Sequence, residues 1–206
     1  MTGGEGPGLD ASPAGAYFAF MAIREIITAP DPRLKEVSEP VPRVDDGIRR
    51  LMDDMLETMY AAPGIGLAAI QVGIPKRVIV MDLAKEGAPP EPRYFVNPEI
   101  VWASAEIKEN EEGCLSLPDM FDFVERPAQA RIKYLDYDGK PQVIEAGGML
   151  AVCLQHEMDH LEGILFVDHI SRLKRDMILR KLVKAKRLAA SELPTNPMGA
   201  PRLLAD

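Results

Sequence analysis

Cysteine and histidine are scarce in this chain of 206 residues, with two of the first and three of the second. Two cysteines, Cys114 and Cys153, cannot build a disulfide framework, so the sequence fits a reducing compartment and its thiols serve packing or chemistry. No apolar run approaches the roughly 18 residues of a membrane span, which argues against a membrane protein. Residues 1–20 contain no Lys or Arg, so they lack the basic start of a secretory signal and the Arg-rich character of a transit peptide. They read as an N-terminal extension with no function of its own, and residues 191–206 read as a loose tail. Cationic surface is also lacking overall: the net charge is −8, which argues against DNA as a partner. These absences leave a cytoplasmic, globular protein. Its 47% hydrophobic content suffices for one core, expected over residues 21–190.

What is present divides into strands followed by helices. Residues 30–42, PDPRLKEVSEPVP, are too rich in proline for a helix and are expected to run extended over the surface. From Val44, apolar residues Ile48, Leu51, Met52, Met55, Leu56 and Met59 recur at three and four, predicting an amphipathic helix of about 15 residues. Asp45 or Asp46 would cap it, and Pro63-Gly64 would close it. Strand-like pieces follow at 77–82, 94–102, 105–108, 130–136 and 142–145, with Asp138-Gly139 as a two-residue hairpin signal between the last two. Gly147-Gly148 then introduces a helix over 149–161, and a last helix is expected over 171–190. Without βαβ alternation, this predicts a single α+β domain: small mixed or antiparallel sheets around a central helix, plus a C-terminal helix.

All three histidines fall within QHEMDHLEGILFVDHI, residues 155–170, and two of them form HExxH. His156 and His160 are one turn apart on one helical face, where two imidazoles can reach one metal ion. Glu157 beside them could take a proton from water. The third ligand decides the class. A metzincin pattern would continue to histidine at 166, where the chain has Phe166. A thermolysin-like site would need a downstream glutamate, and past Glu162 only Glu192 remains, in the ELPTNP tail. Cys153 lies on the same face but is seven residues from His160, about 10.5 Å at 1.5 Å per residue, too far for one ion on a straight helix. It suits a pocket wall instead. Cys114, in NEEGCLSLPD among turn-forming residues, could present a thiolate from a strand end or loop. Cys-His-His leaves one coordination position open, as catalytic sites do, although spacing alone does not separate this from an inert buried thiol. His169 lies outside the motif and reads as a surface histidine.

Three stretches together resemble the peptide deformylase family. Residues 64–71, GIGLAAIQ, match its GxGxAAxQ; residues 112–116 match EGCLS; residues 155–161 match QHExDHL. The similarity covers about residues 21–190, in the family's order. It implies a metallohydrolase that removes the formyl group from N-formylmethionine on nascent polypeptides, giving formate and a free methionine. The resemblance assigns Cys114, His156 and His160 as metal ligands and Glu157 as general acid and base. It assigns Gln71 and the backbone N–H of Leu115 to the oxyanion, and Gly66 to the substrate backbone. An apolar methionine pocket would draw on Ile65, Phe121, Val152 and Cys153, each of which reads equally well as plain packing. Arg126 and Glu112 would pair behind Cys114. The segment LPDMFDFVERP varies within the family and would shape the pocket rim. The donor set suits Zn, Ni, Co or Fe(II); the resemblance favours Fe(II) as the native ion. A metallopeptidase, or an inactive metal-stabilised module, are the competing readings.

Residues 172–187 carry eight Lys or Arg and one acid, a local charge of +7 that leaves −15 for everything else. Such a run is ordinarily a solvated helix face. In a protein acting on nascent chains it also marks the ribosome as a candidate partner.

Overall fold

The computed structural model describes residues 22–85 and 87–192. Residues 1–20 and 193–206 lie outside that range, and with them the expectations for the extension and most of the tail. Helix α1, Asp46–Ala61, starts where Asp45 accepts a hydrogen bond from Ile48 N–H at 3.0 Å, so Asp45 is the cap. Its apolar stripe, Ile48, Leu51, Met52, Met55, Leu56 and Met59, is buried throughout. Strands β1 (Gly66–Ala68), β2 (Val78–Met81), β3 (Arg93–Ala103), β6 (Gln129–Leu135) and β7 (Pro141–Gly147) form one antiparallel sheet in the order β1-β2-β3-β6-β7. Strands β4 (Ile107–Cys114) and β5 (Leu117–Pro127) form a separate antiparallel ribbon. Helices α2 (Gly148–Leu161) and α3 (Arg172–Glu192) follow.

Alternation along β2 shows how the layers form. Val78 and Val80 join the α1 stripe in one cluster, whereas Ile79 and Met81 join Ala151, Leu154, Met158 and Leu161 of α2 in another. The sheet is therefore covered on both faces, which is why β2 is apolar at every position. Helix α2 is buried on nearly all sides, as a helix at the centre of a domain must be. A third cluster, with Leu34, Leu117, Val124, Phe166 and Ile178, ties the ribbon and α3 to the N-terminal segment. The α+β class and the central helix are as expected, with antiparallel pairing in both sheets. No helix among the described residues is long and apolar enough to cross a membrane.

Four local expectations need correction. Residues 30–42 do not simply run over the surface: Pro32–Lys35 is a 3-10 turn capped by Asp31, and Leu34, Ser38 and Val41 are buried. Proline forbids a helix interior but fits a first turn. The strand expected at 105–108 instead runs over Ile107–Cys114, and the segment expected only as a rim is the long strand β5. On the face this ribbon buries, charged Glu112 and Arg126 accompany Val124, with Asn110 and Asp122 in register beside them, so hydrophobic alternation cannot reveal it. Between β6 and β7 the loop has three residues beyond the Asp136–Lys140 closing pair, with Gly139 at φ 80 supplying the left-handed position. Finally, α3 reaches Glu192, two residues past the expected end.

Candidate active site

Cys114 ends β4, where the register with β5 shifts between Gly113 and Cys114. That irregularity turns the sulfur toward α2. Donor atoms of Cys114, His156 and His160 all lie within 4.8 Å of one another, and Cys114 Sγ is 3.3 Å from His160 Nε2. The two rings meet edge to face, with centroids 4.9 Å apart. Glu112 Oε2 lies 2.8 Å from His156 Nδ1, leaving Nε2 as the nitrogen free to bind a metal. Arg126 clamps the same Glu112 at 2.5 and 2.9 Å. The expected Arg126–Glu112 pair therefore exists, but it backs His156 rather than Cys114.

The electrostatics suit a dicationic ion. Burial opposes charge on His156, yet its contacts with Cys114 and Glu112 outweigh this and raise its pKa well above the ordinary value. Burial, then the neighbouring His156, hold His160 well below it. Two imidazoles this close do not both become imidazolium, and a histidine binds a metal only through an unprotonated ring nitrogen. A soft thiolate with two imidazoles is a donor set for Zn, Fe(II), Co or Ni, so the residues fit a metal.

Glu157 stands next in the helix, 4% exposed, its pKa pushed up to about 7 chiefly by burial. Its Oε2 is buried without a hydrogen-bond partner among the described residues. A Cβ at Gly66 would lie 2.4 Å from Glu157 Oε1 and 2.9 Å from Cys153 Sγ. Gly66 is thus what lets β1 close against the carboxylate, a role beyond the substrate contact expected of it.

Behind Cys114, Gln71 is fixed at both ends of its amide. Its Oε1 accepts from Ala68 N–H at 2.8 Å, and its Nε2 donates to Ser116 Oγ at 3.1 Å and approaches Cys114 Sγ at 3.5 Å. A cleft of about 610 Å³ opens on the site. Ile65, Gly66, Leu115, Phe121, Val152, Cys153, Cys114, His156 and Glu157 all line it, whereas His160 and Gln71 lie a layer deeper. Val152 and Cys153 are buried in its wall, and Ile65 and Phe121 are exposed at its rim. Met149 also lines it, a residue the sequence reading missed. Its signal was available: 149, 152, 153, 156 and 157 follow helical spacing. Ser116 closes the EGCLS stretch, but nothing in the sequence signals that it holds Gln71.

Three convergent donors, an open cleft and an adjacent buried carboxylate are the parts a metallohydrolase centre requires. Comparison with known proteins gives the particular one. The family pattern for polypeptide deformylase matches residues 23–176. The chain is 63% identical over 169 residues to a peptide deformylase of Phenylobacterium zucineum, covering 82% of this chain and all of that one. It is 67% identical over 173 residues to one from Hyphomonas neptunium, covering 84% and 98%. Among solved structures, peptide deformylase from Ehrlichia chaffeensis superposes with TM-score 0.79 at 44% identity, covering 82% of this chain and 99% of that one. That from Legionella pneumophila gives 0.77 at 48% identity, with 82% and 98% covered. The chain belongs to the polypeptide deformylase family. It is a metal-dependent hydrolase that removes N-formyl groups from the formylmethionine of nascent chains.

Proposed function

We propose that Cys114, His156 and His160 hold the ion and that Glu157, Gln71 and Leu115 carry out deformylation around it. The observation that carries this reading is the placement of buried Glu157 beside three donors that converge within 4.8 Å. A divalent ion at these donors would supply Lewis acidity, drawing electrons from the formyl oxygen and acidifying water. Glu157 takes the proton of the attacking water and later delivers it to the departing amine, so one carboxylate serves both halves of the reaction. Gln71 Nε2, already held in place by Ser116, and the Leu115 backbone N–H donate to the oxygen as it gains charge, at about 3–4 kcal/mol for a well-placed donor. Methionine enters between Val152 and Cys153, with Ile65 and Phe121 closing the rim. Fe(II) is the proposed native ion, with Zn, Ni and Co compatible with the same donors.

Residues 21–190 form the catalytic unit in this reading, residues 1–20 and 191–206 are appendages, and the protein works in the cytoplasm, where chains begin with formylmethionine. Anaerobically purified protein will release formate from formyl-Met-Ala-Ser, lose that activity to a chelator and regain it on adding Fe(II) or Co(II). Internal cleavage of unformylated peptides, or full activity after metal removal, would overturn the proposal.

The ribosome is the proposed docking partner of α3. A groove along the helix is lined by Asp176, Leu179, Arg180, Val183, Lys184 and Arg187, so cationic and apolar contacts alternate there. Contacts to RNA phosphate release counterions. Binding to ribosomes in a sedimentation assay will therefore fall by about tenfold or more between 50 and 200 mM salt. Equal binding across that range would remove the partner.

A further inference from the structure

Asp159 belongs to the HExxH stretch, yet nothing in the chemistry above uses it. Its Oδ2 accepts a hydrogen bond from Arg126 Nη1 at 2.8 Å and another from His169 Nε2 at 2.7 Å. Arg126 grips Glu112, and Glu112 holds His156 Nδ1. An unbroken line of hydrogen bonds thus runs from His169 through Asp159, Arg126 and Glu112 to His156. Side-chain exposure falls along it from 34% at His169 to 20% at Asp159, 5% at Arg126 and 3% at Glu112.

His169 is at the surface, as expected, but the turn that carries it is fixed. Its backbone N–H donates to Phe166 C=O at 3.1 Å, and the preceding Asp168 accepts from Leu165 N–H at 2.8 Å. Asp168 also pairs with Lys35 and Arg175. Phe166 of the same short turn is buried, its ring centroid 6.5 Å from that of His156. The turn that packs beside the ligand is therefore the turn that presents His169 to Asp159.

We propose that His169 is a positioning residue of the metal centre, holding Asp159 so that Arg126 and Glu112 keep the His156 ring in place. The inference rests on the metal-centre reading of Cys114, His156 and His160. Asp159 is the member of the clamp on Arg126 that water can reach, so its carboxylate is the one free to turn outward. The His169 N–H anchors the oxygen that Arg126 also uses. Without it, the buried guanidinium shares its contact with solvent, and Glu112 no longer faces a fixed partner.

The test uses Co(II)-loaded full-length protein, H169L and H169Q, with decay of the cobalt–thiolate absorption followed in excess chelator. Loss of partners one step from a ligand weakens metal binding about 10–100-fold, so this more remote anchor should speed release about 3–10-fold in H169L. H169Q, whose amide N–H replaces the Nε2 donor, should release cobalt within about twofold of the parent rate. Retention in H169L as long as in the parent, or release from H169Q as fast as from H169L, overturns the inference. A parent that takes up no cobalt overturns the metal-centre reading and this inference with it.

Discussion

Glu157→Gln will lower kcat/KM for a formyl-Met peptide by about 10²–10⁴-fold while the protein keeps its metal and its fold. Glutamine preserves the shape that β1 closes against, where the space beside Gly66 leaves 2.4 Å between a would-be Cβ and Glu157 Oε1. A larger or smaller side chain would confound loss of the base with movement of that strand. Only the capacity to take a proton is removed. That capacity is tuned by place: burial first of all pushes the carboxyl up from its ordinary range to about 7, so it exchanges protons near neutrality. The proposed ligands Cys114, His156 and His160 are untouched, so metal content per chain should match the parent. Formate release within tenfold of the parent, in protein with equal metal, would show that another group moves the proton.

Glu157 is legible in the sequence because it sits within HExxH, directly after His156. His156 and His160 are legible because a spacing of four puts both on one helical face. Helix α1 was legible for the same reason, since its apolar positions recur at three and four. The ribbon carrying Cys114 was not. Its strands bury Glu112, Val124 and Arg126 together, and a polar pair on the inward face erases the alternation that marks a strand. Elimination and family resemblance single out Cys114, and the register shift that aims its sulfur has no sequence signature. Ser116 and Asp159 show a second limit. Each acts on a partner more than 30 residues away, Gln71 and Arg126 respectively, and such pairings emerge only once the chain is folded.

Phe166 is informative in the sequence and in the fold alike. In the sequence its identity removed the metzincin reading, because that pattern needs histidine there. In the fold its ring lies near His156, tilted 23° from it, among Leu117, Val124 and Ile178. A histidine at this place would bring a polar ring into an apolar cluster. The third proposed ligand, Cys114, stands instead at the end of the ribbon, and the ring at 166 packs against His156 at 6.5 Å between centroids.

Glu112→Ala will be the most damaging substitution outside the ligands and the base. Its carboxylate is 3% exposed and does two things at once, pairing with Arg126 in a bidentate fork and receiving His156 Nδ1. Truncation leaves the buried guanidinium with Asp159 alone, and removing one partner of a buried pair costs about 3–5 kcal/mol. It also frees the His156 ring, for which loss of a supporting carboxylate lowers metal affinity by about 10–100-fold. The two effects can be separated. In Glu112→Leu combined with Arg126→Met the buried charge is gone and apolar volume is restored, so chemical denaturation of apo protein should recover most of the lost stability. Metal affinity should not recover, since His156 Nδ1 still lacks its carboxylate. If the double variant regains both, Glu112 acts on the metal only through stability; if it regains neither, the cost lies in packing rather than in the stranded charge.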